Sequence, residues 1–316
     1  MLKLFKKFIK SNKCVFKSAK FIKRELVTRK IDNNAYASQK YKAAILYLAK
    51  IITKNNLTGG LITDNGDFYI KSEDSIWLYY NYNDDRFTQG DGQRLEFKSS
   101  YSLSSIETFI LSYFQNGMYY FDIGANNGYY YSLKIANKYP QSRVYSFEPD
   151  CKILHHLKKN VEFNNLNNIE IHEIALSDNV GHAKLSKDMG ASGFIVVDDN
   201  LVVDTINVQC TSLDIFLYDH NIPRIDLIKV DIEGGEFNFL KGAVNSLNKY
   251  KPLLILEVTE NLLQRSNTSK LEIEFFLKSS GYRLAGIVKS NDVLAIPSER
   301  FDEIVKNNNL WLELPI

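Results

Sequence analysis

Between Met118 and Val258, short and nearly continuous apolar runs alternate with longer stretches whose apolar residues recur every three or four positions. The runs MYYFDI (118–123), RVYSFE (143–148), IEIHEIA (169–175), IDLIKVD (225–231) and LLILEV (253–258) predict strands. The intervening stretches 129–139, 150–164, 212–219 and 236–247 predict helices. A last helix over 269–280 leads into two further strand-like runs, YRLAGIV and DVLAIP. Apolar strands separated by amphipathic helices predict a mainly parallel sheet covered on both faces. The segment from Gly181 to Cys210 breaks the rhythm with short β-like pieces and reads as an insert.

Upstream the pattern differs. Residues 61–81 read as short strands, with Asp64-Asn65-Gly66 as a tight turn between the first two. Residues 36–54 predict a helix, and the polar, glycine-bearing stretch 83–93 a loop. Ser104-Ser105-Ile106-Glu107 has capping-box spacing and opens a helix that runs to about Phe114. In residues 1–26 the apolar positions Leu2, Phe5, Phe8, Ile9, Val15, Phe16, Ala19, Ile22 and Leu26 form one stripe on a helix, with lysines elsewhere. The chain thus divides into a basic amphipathic helix (1–30), an α+β extension (31–99) and an α/β domain (100–316).

Charge sharpens this division. Residues 1–30 carry eleven Lys and Arg against Glu25 alone, a net of +10, so with +2 for the chain the remaining 286 residues carry −8. A basic amphipathic helix suits the surface of an anionic membrane; it also suits packing on the chain's own acidic remainder. Nucleic acid is the weaker reading of such a charge run. At 45% apolar and 24% charged residues, the composition is that of a soluble globular protein. No apolar run reaches the roughly 18 residues of a spanning helix, and no uninterrupted apolar core marks a signal peptide. Cys14, Cys151 and Cys210 are far apart and form no CxxC pair, which argues against a disulfide framework or a zinc knuckle. The expected home is the cytoplasm, with peripheral contact at the inner membrane face through residues 1–30.

In an open α/β sheet, ligands bind at the carboxyl ends of the strands, so the candidate chemistry is sought there. The first end is Asp122-Ile-Gly124-Ala-Asn126-Asn-Gly128. Gly124 permits a sharp turn and Gly128 close packing of the next helix. The glycines stand four apart, unlike the dinucleotide GxGxxG, and Asp122 is expected to point a charge into the turn that repels a pyrophosphate and holds a cation. At the second end, Glu148 can accept both hydroxyls of a ribose. At the third, Ala175-Leu176-Ser177-Asp178 leads into a polar loop beside which an adenine fits. At the fourth, LIKVDIEGGE places Asp231 and Glu233 in alternation, as carboxylates suited to orient a hydroxyl, accept its proton or hold a divalent metal. The fifth adds Glu257 and Glu260. His172 lies mid-strand and reads as structural; His182 in the insert and His220 are further candidate bases.

FDIGANNGYY, YSFEPD, ALSDNVG, IDLIKVDIEGGE and LLILEVTE, in this order, resemble the FkbM-type class I S-adenosylmethionine-dependent methyltransferases, over about residues 100–296. The resemblance implies a Rossmann-like, seven-stranded, mostly parallel sheet with one antiparallel strand and helices on both faces. It implies that Asp122, Gly124, Asn126 and Gly128 hold the methionine part of S-adenosylmethionine. Glu148 would bind the ribose; Ala175, Leu176, Ser177 and Asp178 would border the adenine. Asp231 and Glu233 would lie beside the reactive methyl, with Asp231 foremost and then Glu257 as base. Oxygen methylation of a sugar hydroxyl in a surface glycan or glycolipid precursor is the expected reaction. The NPP[YF] motif of amino-methylating enzymes is absent, which counts against a nucleic-acid substrate. Trp77–Tyr82, Tyr101 and the insert are candidates to line the sugar. No metal ligand is assigned, and the use of a divalent metal stays open, as does oligomerisation. Two other readings remain at this point: a non-catalytic scaffold on the same fold, and an NAD-dependent oxidoreductase.

Overall fold

Successive side chains on a strand point to opposite faces, and three central strands show how the sheet is sandwiched. On β4 (Tyr119–Ile123), Phe121 and Ile123 enter one core layer and Tyr120 the other. On β10 (Leu227–Val230), Ile228 and Val230 join the first layer and Leu227 the second; on β11 (Leu253–Glu257), Leu254 and Leu256 join the first, Leu253 and Ile255 the second. The first layer packs against α4 (Leu213–Asp219), α5 (Glu236–Lys241), α6 (Val244–Tyr250) and α8 (Lys270–Ser279) through residues such as Phe216, Phe239, Leu247 and Leu277. The second packs against α1 (Ser105–Tyr113), α2 (Ser132–Lys138) and α9 (Phe301–Asn307) through Phe109, Ile135 and Ile304. Helix α3 (Cys151–Phe163) follows β5 (Arg143–Phe147), and its Leu154 and Leu157 pack on Ala125. A single helical turn, α7 (Glu260–Leu263), follows β11.

The structure, a computed structural model, describes residues 59–62, 68–72, 75–80, 105–186, 193–196, 203–287, 290–307 and 312–313. The expected helices over 1–30 and 36–54, the loop 83–93, the Asp64–Gly66 turn and Tyr101 lie outside them. The chain divides into two compact units, 1–102 and 103–316. In the first, β1 (Gly59–Ile62), β2 (Phe68–Lys71) and β3 (Trp77–Tyr80) form an antiparallel sheet in that order, with Tyr69, Ile76, Leu78 and Tyr79 buried.

In the second unit the main sheet has the order β14–β12–β13–β11–β10–β4–β5–β6. The pairs from β6 (Ile169–His172) to β11 are parallel; β13 (Asp292–Pro297) is antiparallel to β11, and β12 (Tyr282–Ile287) is antiparallel to β13. These are the seven expected strands, with one running against the rest. A two-residue edge strand, β14 (Leu312–Glu313), makes an eighth. After β4 the chain adds β5 and β6 on one side, then returns to place β10 on the other. The crevice over β4 and β10 is therefore the switch point where ligands bind in such sheets.

Several boundaries differ from the sequence pattern. The run 169–175 is not one strand: it leaves the main sheet after His172, and β7 (Ala175–Leu176) pairs instead with β9 (Thr205–Thr211) in a small sheet ordered β7–β9–β8, where β8 is Gly181–Ser186. Helix 236–247 breaks at Gly242, where a Cβ would stand 2.0 Å from the Ser177 carbonyl oxygen. Ser104 of the expected capping box lies outside the described residues, and Glu107 is buried against Lys134 of α2. By contrast Ser269 and Glu272 form a reciprocal capping box on α8. Among the described residues no helix is long and apolar enough to cross a membrane.

Candidate active site

The glycine turn is built by close approach. Gly124 has φ +84°, and a Cβ there would lie 1.9 Å from the Asp231 carbonyl oxygen, so only glycine lets β4 and the end of β10 meet at this point. The Asp231 amide donates to the Ile123 carbonyl (2.9 Å), and the Gly124 and Ala125 amides both donate to the Phe147 carbonyl (3.0 and 2.9 Å). Asn126 is left-handed (φ +51°), which asparagine tolerates. Gly128 faces Leu157 and Leu133, where a Cβ would fall 2.5 Å from the Leu157 side chain. Its role is therefore to let α3 pack against the turn.

Glu148 ties this turn to β5. One of its carboxylate oxygens accepts the Asn126 amide (3.0 Å) and the other the Asp150 amide (2.9 Å). It is buried at the wall of a pocket of about 580 Å³, solvent-open mouth included. A buried carboxylate with about four lone-pair positions is by its chemistry an acceptor for hydroxyls as well as amides. The pocket continues as an apolar slot between Phe147, Ile174, Ala175 and Leu176, with Ser177 at its edge. Gly124, Asp231, Ile232 and Asn238 form its far side, and Leu185, Gly193 and Ile195 of the insert cover it. The pocket thus brings an apolar slot together with two carboxylates, Glu148 and Asp231. Asn238 and the three insert residues were not singled out in the sequence, because their placement depends on the α5 break and the β7–β9–β8 sheet.

Two expected cofactor residues stand elsewhere. Asp122 does not point into the turn. It shares the face of Tyr120, is buried, and accepts from the Tyr120 hydroxyl (3.2 Å) and the Ser132 hydroxyl (2.5 Å). Strand parity explains this: Ile123, not Asp122, faces the pocket. Burial pushes the Asp122 carboxyl up to about 6, despite its hydrogen bond from Ser132 and the nearby Lys229 ammonium. Asp178 also lies off the pocket lining; it accepts from Ser177 (3.1 Å) and pairs with Lys241 of α5 at 2.5 Å.

The acidic strand end divides as well. Because β10 stops at Val230, the strand alternation that would put Asp231 and Glu233 on one side does not extend to them. Glu233 is left-handed (φ +57°), and its side chain pairs with Arg265 at 3.6 Å. Arg265 in turn lies over the ring of Phe194 in the insert (4.7 Å). Asp231 instead sits 3.3 Å from the Lys229 ammonium and hydrogen-bonds with Glu257. Burial alone would raise Asp231, but Lys229 and the Glu257 hydrogen bond outweigh it and hold the group below the usual carboxylate range. Glu257 goes the other way: burial, then the adjacent Asp231 charge, push it up to about 8. Burial and the Asp231 charge thus favour the protonated form of Glu257, while the Lys229 ammonium favours the ionised form of Asp231. Glu236, beyond the turn, is buried and accepts the Ile232 and Gly234 amides (3.1 and 3.3 Å), which fixes the 231–235 loop.

The histidines lie apart from this pair. His172, the last residue of β6 rather than a mid-strand one, packs between Phe147 and Phe216 (5.1 and 4.7 Å between rings). His182 is exposed on β8, and His220 ends α4 with its ring bonded to the Phe216 carbonyl. Among the described residues no group of three or more His, Cys, Asp or Glu side chains is arranged to hold a metal ion.

A family model described as the methyltransferase FkbM domain matches residues 122–284, just over half of the chain. The chain is 28% identical over 149 residues to Methyltransferase 1 of Beauveria bassiana (strain ARSEF 2860), covering 41% of this chain and 59% of that protein. It is 28% identical over 152 residues to Methyltransferase sdnD of Sordaria araneosa, covering 38% of this chain and 58% of that one. The chain thus spans under two thirds of the length of these curated relatives. Among solved structures, Methyltransferase FkbM from Methylobacillus flagellatus KT aligns at 19% identity and a TM-score of 0.42, over 58% of this chain and 44% of that one.

Proposed function

We propose, from the premise that this chain belongs to the FkbM methyltransferase family, that it binds S-adenosylmethionine in the pocket over β4, β5, β7 and β10 and methylates a hydroxyl oxygen. The observation that carries this reading is one pocket lined by the buried carboxylate of Glu148, by an apolar slot and by Asp231, next after β10, which pairs with β11 so that Glu257 stands beside Asp231. When bound, the cofactor supplies an electrophilic methyl group on a cationic sulfur. Glu148 would hold the ribose, Phe147, Ala175 and Leu176 the adenine, and the backbone around Gly124 the amino acid end. Asp231, ionised and at the pocket wall, would stabilise the positive charge. The pair would orient the acceptor hydroxyl and take its proton as the new oxygen–carbon bond forms.

A sugar hydroxyl is a weak acid, so a carboxylate raised to about 8 is a far better base for it than an ordinary glutamate. The pair is competent once Glu257 is ionised. Most of the rate would still come from alignment, since a positioned acceptor supplies several kcal/mol. We take the acceptor to be a sugar in a surface glycan or glycolipid precursor, met at the cytoplasmic membrane face with residues 1–30 as a basic contact. The test is transfer of isotope-labelled methyl groups to surface-polysaccharide precursors by purified protein. Label appearing at a sugar oxygen supports the reading. Cofactor binding without label on any such precursor would leave the sugar assignment wrong.

A further inference from the structure

Lys229 occupies the middle of the central strand, where both faces are buried and its neighbours Ile228 and Val230 are apolar. The fold alone does not require a charge there, since an isolated buried ammonium costs several kcal/mol. Strand register shows what surrounds it. On β4 its cross-strand partner is Asp122, and Tyr120 lies on the same face. On β13, which runs back from the same end of the sheet, Asp292 is the register partner of Glu257 and stands 3.0 Å from the Lys229 ammonium. Asp292 is itself held by Ser290. The Tyr131 ring, at the start of α2, lies 5.9 Å from the ammonium. Asp231 completes the set at 3.3 Å from above the strand end. The ammonium is thus clamped between two carboxylates from different strands, and its place does not depend on Asp231 alone.

We propose that Lys229 is a positioning residue: its ammonium fixes Asp231 in the ionised form and thereby leaves the one proton of the Asp231–Glu257 pair on Glu257. The functional weight of this inference rests on the proposed methyl transfer, in which that pair takes the acceptor's proton. Two adjoining carboxyls do not both ionise readily, and the one nearer a fixed cation loses its proton first. Asp231 lies against the ammonium. Glu257 faces Asp231 and Glu233, whose charges oppose its ionisation, with Lys229 acting in the other direction. Strands β10 and β11 pair Val230 with Leu256, so Glu257 stands next across from Asp231, and the group that later accepts a proton is the one with the higher affinity for it. The conformation of the pair, and the pH at which it becomes a base, then follow from a residue that touches neither cofactor nor acceptor.

The experiment is a carboxyl-carbon NMR titration of the full chain labelled at Asp and Glu, comparing wild type, Lys229→Arg and Lys229→Met. In wild type the pair is expected to titrate in two well-separated steps. In Lys229→Met the lower step should rise by at least one pH unit, about a tenfold change in proton affinity. Lys229→Arg should restore most of the separation. Should Lys229→Met fail to fold, the double variant Lys229→Met with Asp292→Asn removes one buried carboxylate together with the ammonium and is read in its place. Unchanged titration steps in a folded Lys229 variant would overturn the assignment. Separable steps that move as expected, with no effect on methyl transfer at any pH, would leave Lys229 in its role and sink the acid–base reading of the pair instead.

Discussion

The two faces of the sheet end differently at the same edge. On the face covered by α4, α5, α6 and α8, the strand ends are Ile123 and Phe147, followed by the apolar slot of the pocket. On the face covered by α1, α2 and α9, the corresponding positions are Ser146, Asp122, Lys229, Glu257 and Asp292, which interrupt an otherwise apolar layer. One face offers the apolar slot of the pocket. The other gathers carboxylates around the Lys229 ammonium. Asp231, just past the end of β10, belongs to both, for it lines the pocket and pairs with Lys229. The division teaches that a motif at a strand end need not act as a block. Adjacent residues such as Asp122 and Ile123 serve opposite faces.

The hardest break to this comparison is Gly124→Ala. With its Cβ 1.9 Å from the Asp231 carbonyl, it must push β4 and β10 apart and disturb both faces at once. We expect a stability loss on the order of 3 kcal/mol, read as a large drop in Tm, together with loss of cofactor binding. A change confined to one face should do less. Glu148→Ala removes the acceptor for the Asn126 and Asp150 amides as well as the proposed ribose contact. It should weaken cofactor affinity at least tenfold by calorimetry, while Asp122→Asn, on the charged face, should change that affinity less than threefold. Equal effects from the two substitutions would erase the distinction between the faces.

The charged face makes its own prediction through pH. Because Glu257 is held protonated until about 8, turnover that depends on its carboxylate should climb as pH rises through that value and level off above it. Glu257→Gln should flatten the rise and lower the plateau. A smaller effect concerns Glu236, raised to about 7 by burial. Its folded-state value lies above the ordinary 4.5, so its contribution to stability is complete below that pH and is lost as pH rises toward 7. Glu236→Gln keeps the oxygen that accepts the Ile232 and Gly234 amides and should escape that loss. Its stability advantage over wild type, read by denaturant titration, should grow between these two values, reaching at most about 3 kcal/mol.

How much of this was legible in the sequence follows from the same contrast. The strands, their parallel order and the place of the glycine turn follow from apolar runs and glycine spacing, which are local. So does Glu148, one strand after the turn. The placement of Asp122 was misread because its motif neighbours suggested a ligand contact, whereas strand parity, counted from the buried Phe121, turns it to the other face. Glu233 was misread because alternation was carried past the last strand residue, Val230. Lys229 was in plain view within IDLIKVD, and a lysine inside an apolar strand is itself a signal. Its meaning required Asp292, more than sixty residues away and on an antiparallel strand. The split of 169–175 between two sheets arises from pairing with β9, which no local pattern encodes.

The central claim is that the pocket holding Glu148 and Asp231 takes S-adenosylmethionine. Isothermal titration of the full chain with this cofactor tests it most directly, run beside Glu148→Ala and beside NADH. The account predicts one site per chain for S-adenosylmethionine, weakened at least tenfold in Glu148→Ala, and no heat from NADH. Binding that survives Glu148→Ala undiminished, or NADH binding where S-adenosylmethionine does not, would contradict it.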